Sequence, residues 1–84
     1  LMDTSSKSHL ANLYEKFALW SLFNYRYDDA VQTYQEVLQL KKSILGENSP
    51  ELAVSYSGIG WCLYHLCCPH EALKYFDLAE GVLK

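Results

Sequence analysis

The residues best able to do chemistry lie close together: Cys62, His65, Cys67, Cys68 and His70 fall within nine positions. Thiolates and imidazoles are the ligands of tetrahedral zinc. Cys62 and His65, three apart on a helix, would share a face. The pattern stops short of a zinc site, because no paired CxxC is present and adjacent cysteines seldom hold one ion together. Free cysteine is commonly buried as a small apolar group. The expectation is no metal and no cofactor. Gly46, Gly58, Gly60 and Gly81 are too scattered for a phosphate-cradling loop. No serine stands in a nucleophile elbow. The neighbours Asp28 and Asp29 suit a helix start rather than a catalytic carboxylate pair. No catalytic residue is assigned, and the chain is not expected to be an enzyme.

The elements that must position these residues read as helices of one small domain. The chain has 84 residues, half apolar and a fifth charged, as in packed proteins. At this length the core must be dense or share neighbours; seven Tyr, three Phe and two Trp supply large buried areas. The net charge of −3 without a basic run argues against a nucleic-acid surface. The opening LMDTSSKSH lacks the basic-then-apolar order of a signal peptide. The uncharged stretch of residues 52–68 is short and polar for a membrane span, so no membrane contact is expected. Three cysteines without framework spacing point to a reducing, cytoplasmic compartment.

Residues 1–8 form a polar lead rich in candidate N-caps. From about Ser8 to Phe23 the spacing of Leu10, Leu13, Tyr14, Phe17, Ala18 and Leu22 predicts a helix. Ala11, Leu19, Trp20 and Phe23 lie off that stripe, so this helix should be covered on most sides, as an inner helix is. Asn24, tolerant of the left-handed region, should end it. A second helix opens at Asp28 and Asp29 and carries Ala30, Val31, Tyr34, Val37, Leu38, Ile44 and Leu45 on one face. It reads as an outer helix, with Lys41 and Lys42 late and Gly46 as its stop. Ser49 as N-cap, Pro50 and Glu51 start a third helix, running to about Leu66. Gly58 and Gly60 lie inside it, each costing about 1 kcal/mol against Ala. Pro69 opens a fourth helix with Ala72, Leu73, Phe76 and Ala79 as its stripe.

These helices repeat. Ala30 and Ala72 are 42 positions apart (72 − 30). The same offset joins Tyr34 to Phe76, Leu10 to Leu52, Ala11 to Ala53, Tyr14 to Tyr56, Ala18 to Gly60 and Lys42 to Lys84. Such a period signals a solenoid. The expected fold is all-α: two antiparallel helix-turn-helix units, about 9–46 and 49–84, stacked over residues 9–84. Ala18 and Gly60 should mark places where a neighbouring helix comes close.

The first unit shows Tyr14, Phe17, Ala18, Tyr27, Ala30, Tyr34 and Val37; the second shows Tyr56, Ile59, Gly60, Pro69, Ala72, Phe76 and Ala79. This arrangement resembles the tetratricopeptide repeat (TPR) family, whose ordinary unit is about 34 residues. The longer period and the segment from Leu45 to Ala53, with Leu-Gly, polar residues, Pro and Ala, look like the kinesin-light-chain subtype. Tyr25 and Cys67 stand where the family usually has a turn glycine. Lys16 and Gly58 replace the subtype's inner-helix Asn, and Pro69 replaces an aromatic.

The resemblance implies a protein or peptide partner lying in a groove lined by inner helices. By position, the first inner helix would present Asn12, Glu15, Lys16, Leu19 and Phe23. The second would present Val54, Ser57, Gly58, Trp61 and His65, with Tyr64 at the margin. The family's carboxylate clamp of Lys, Arg and Asn is not carried over, since only Lys16 and Asn12 are available. An apolar, aromatic floor of Leu19, Phe23 and Trp61 remains. The alternative is an assembly element. Neither end has a polar capping helix, so open solenoid ends would stack on neighbouring repeats or chains, including homo-oligomers.

Overall fold

The computed structural model describes residues 3–83; the pairing of Lys42 with Lys84 lies outside them. Four helices follow in order: α1 (Thr4–Phe23), α2 (Tyr27–Leu45), α3 (Leu52–His65) and α4 (Pro69–Leu83). No strand occurs among the described residues. α1 packs chiefly on α2, α2 also on α3, and α3 also on α4. The fold is the expected all-α helical repeat.

α1 starts a turn before Ser8, because Asp3 caps it: its carboxylate accepts the Ser6 N–H at 2.7 Å. Further on, Lys7 donates to Ser43 of α2 at 3.0 Å. α3 starts later than Pro50. Ser49 Oγ accepts from the Glu51 N–H at 3.3 Å. Leu52 N–H donates to the Ser49 carbonyl and Ala53 N–H to that of Pro50, a tighter i→i+3 turn leading into the α-helix. α4 opens at Pro69 as expected.

The two turns between paired helices are copies. The left-handed residue is not Asn24, whose φ is −97°, but Tyr25 (φ 61°), and one period later Cys67 (φ 65°). Arg26 N–H reaches the Ser21 carbonyl at 2.8 Å while Tyr25 N–H reaches that of Leu22. Cys68 N–H reaches Leu63 at 2.9 Å while Cys67 N–H reaches Tyr64. Both are Schellman closures, which satisfy the orphan carbonyls of a helix end.

The core runs through all four helices: Ala18, Ala30, Tyr34, Leu38, Leu52, Tyr56, Ile59, Cys62, Leu63, Ala72 and Ala79 belong to one cluster. Burial in α2 matches its expected stripe at Ala30, Tyr34, Val37 and Leu38. Ala30 and Ala72 are almost fully buried. Two expectations are corrected. α1 is not covered on most sides: Ala11, Ala18 and Ser21 are buried, while Leu13, Phe17 and Trp20 are half-exposed. Its one large partner is α2. α4 buries Ala72 and Ala79, but Leu73 and Phe76 are exposed and Tyr75 and Val82 pack on the core instead. α4, too, has one large partner, α3.

Gly58 and Gly60 have a common cause. A Cβ on Gly58 would sit 2.7 Å from the Tyr34 ring, and one on Gly60 would sit 3.1 Å from the Phe76 ring and 3.2 Å from the Ala72 carbonyl. Close approach of α3 to both outer helices offsets their helix-propensity cost.

Candidate functional site

α3 carries an exposed aromatic surface. Its Trp61 and Tyr64 are about half exposed, at 49% and 59%, and three apart on one face. His65 stacks flat on Tyr27, with centroids 4.6 Å apart and planes within 4°. It meets Trp61 edge-on at 4.7 Å and Tyr64 at 5.5 Å. Trp61 and Tyr64 are 6.3 Å apart, and Tyr25 meets Tyr27 at 6.4 Å. Five rings thus join the α1–α2 turn to α3. Such contacts each add about 0.5–1.5 kcal/mol beyond burial; here they hold an exposed patch in one arrangement.

The other expected partner-binding residues spread beside this patch. Asn12, Lys16, Leu19 and Phe23 on α1, and Val54 and Ser57 on α3, are exposed. Phe23 is 76% exposed. Gly58 is half-buried under Tyr34. Glu15 has its own partner: Lys41 Nζ lies 2.7 Å from its carboxylate, and both side chains are largely buried. That charge therefore braces α1 on α2 (an ion pair with good geometry and partial burial). The ring contacts gather Trp61, Tyr64 and His65 but do not extend to Leu19 or Phe23. Tyr25 and Tyr27 join the patch although the sequence reading placed neither in a site. Both are turn or helix-start residues. Only the fold carries Tyr27 onto His65, 38 positions away (65 − 27).

The cysteine and histidine cluster separates. Cys62 is buried, Cys67 is exposed in its turn, and Cys68 is half-buried. Burial pushes the Cys62 thiol up to about 11, so it stays protonated at neutral pH. Burial likewise raises the Tyr34 hydroxyl to about 12, with Cys62 and Glu15 adding to the shift. Among the described residues no group of three or more His, Cys, Asp or Glu is placed to hold a metal ion. No helix among them is long and apolar enough to cross a membrane.

Antiparallel helix pairs, copied turns at the same offset and small residues under aromatic ones define a helical-repeat protein with an exposed aromatic patch on an inner helix. The model of the family described as Tetratricopeptide repeat matches residues 9–84. The chain belongs to the tetratricopeptide repeat family. Members are generally non-enzymatic scaffold modules for protein–protein interaction. No curated protein and no solved structure matches it.

Proposed function

We propose that this chain binds a partner peptide or helix in the groove between its inner helices, on a floor of Leu19, Phe23, Trp61 and Tyr64. The observation that carries this is the five-ring patch around Trp61. Large aromatic area is held in place yet left exposed, as binding hot spots are. Asn12, Lys16, Val54, Ser57 and His65 would form the rim. The 42-residue offset between the turns and the 19-residue α2 support membership of the kinesin-light-chain-like subtype. The three free thiols fit a reducing, cytoplasmic setting.

Panning a random peptide library against the chain tests the groove. Enriched peptides should carry bulky apolar anchors. Trp61→Ala should weaken their binding at least tenfold, about 1.4 kcal/mol, with an unchanged helical signal. Enriched peptides indifferent to Trp61→Ala, or none, would overturn the groove; a lost helical signal would mark Trp61 as structural.

A second reading is favoured by the two bare flanks, Leu13, Phe17 and Trp20 on α1 and Leu73 and Phe76 on α4. In it the chain is an assembly element whose open ends stack on neighbouring repeats or chains.

A further inference from the structure

The patch around Trp61 has a one-sided hydrogen-bonding chemistry. The indole N–H of Trp61 can only donate, and the hydroxyls of Tyr25 and Tyr64 donate as readily as they accept. None of these three groups makes a hydrogen bond among the described residues. Of the expected partner-binding residues only Glu15 is acidic, and it is turned to Lys41 at 2.7 Å. The face therefore offers ring surface and donors, with no free carboxylate among those residues to receive an N–H. An α-helical ligand has its backbone acceptors already occupied. It would leave these donors desolvated unless its side chains supplied oxygens. A β-strand peptide brings N–H groups that need acceptors. A polyproline II segment brings carbonyls alone, since its backbone has no internal hydrogen bonds and proline has no N–H. It is also ordered before it binds, so less freedom is lost on docking.

The ring geometry agrees with that ligand. Trp61 and Tyr64 lie 6.3 Å apart with planes 26° from parallel, and two residues of polyproline II advance about 6 Å. Two prolines of one segment can thus each meet an aromatic face. His65 braces the arrangement, stacked on Tyr27 at 4.6 Å and edge-on to Trp61 at 4.7 Å. Positions of this kind stay bare where a further unit follows. Leu19 and Phe23, 42 positions before Trp61 and His65, are exposed although the second unit follows theirs.

We propose that the Trp61/Tyr64 face takes a proline-rich segment in the polyproline II conformation. Its prolines pack on the two rings, and its carbonyls accept from the indole N–H and the tyrosine hydroxyls. The inference rests on the groove reading and narrows the partner from any apolar peptide or helix to that one backbone.

Calorimetric titration with three peptides blocked at both ends tests this. One is a triple repeat of Pro-Pro-Leu, the second a triple repeat of Gly-Ser-Leu, and the third an alanine-based helix carrying the same leucines. The proline peptide should bind saturably and at least tenfold tighter than either control. Trp61→Ala should weaken it at least tenfold. Tyr64→Phe, which keeps the ring and removes only the hydroxyl, should weaken it about threefold, with an unchanged helical signal. Equal binding of the proline and Gly-Ser-Leu peptides, or tighter binding of the helix, would overturn the polyproline inference and leave an apolar groove standing. Proline-peptide binding that ignores both substitutions would remove it from this face. An unchanged affinity in Tyr64→Phe alone would overturn the hydroxyl's part as donor. If none of the three peptides binds while library peptides are still captured through Trp61, only this inference fails; if library peptides are not captured either, the groove reading fails beneath it.

Discussion

α1 and α3 hold the same place in successive units, yet Leu13, Phe17 and Trp20 of α1 stand half-exposed while Ser55, Ile59 and Cys62 of α3 are fully buried. Apolar content does not explain this, because α1 has the larger side chains. The difference is neighbours: α3 lies against α2 and α4, and α1 chiefly against α2. Small residues mark the covered flank because a helix can approach closely only where little side chain intervenes. Bulk marks the open one. Within the described residues 3–83, residue size along α1 and α3 thus follows which helix lies beside each.

The strongest way to break the comparison is at the positions where the units agree. Ala30→Asp and Ala72→Asp each place a carboxylate in an almost fully buried site. Each should cost more than about 4 kcal/mol, enough to unfold a domain of this size. A cooperative urea transition retained in either variant would contradict the shared packing. The next effect separates the helices. Gly58→Lys, which copies the α1 residue, should cost about 3 kcal/mol or more, since the Tyr34 ring fills the space. Lys16→Gly, the reverse exchange on the open flank, should cost only about 1 kcal/mol of helix propensity. Similar losses in urea melts would mean that the two flanks are not differently covered.

Smaller changes sharpen the likeness of the turns. Cys67→Gly should stabilise by about 0.5–1 kcal/mol, as relief of left-handed strain exceeds the entropy of the added glycine. Tyr25→Gly should gain less, because it also removes the Tyr25–Tyr27 ring contact. Thermal melts of the two variants would rank them. The smallest effect is at Ser55, whose buried hydroxyl has no hydrogen-bond partner among the described residues. Ser55→Ala should be neutral or stabilising by up to about 1 kcal/mol. A clear loss in the same melts would reveal a bond to that hydroxyl.

Much of this was legible in the residues. The 42-residue offset, Pro69 at a helix start, Gly46 at a stop and the small residues at Ala18 and Gly60 follow from local rules. Backbone sterics and caps act over a few residues, and a repeated unit repeats its answers. Asn24 does end α1, as its C-cap, but the left-handed conformation its side chain tolerates falls one residue on, at the turn-glycine place. Schellman closure placed it instead at Tyr25 and Cys67, where it was required by the helix end rather than by the residue.

What the chain alone determined is the helical pattern, the pairing and the period, since these are written in spacing and in glycine, proline and alanine. What only the tertiary structure decided is which apolar stripes are covered. It left α1 and α4 each with a bare flank, turned Glu15 toward Lys41, gave Gly58 its reason in the Tyr34 ring, and carried Tyr27 across the turn onto His65. Burial depends on which helix lies beside which, and periodicity gives the face of a helix without saying what stands opposite it.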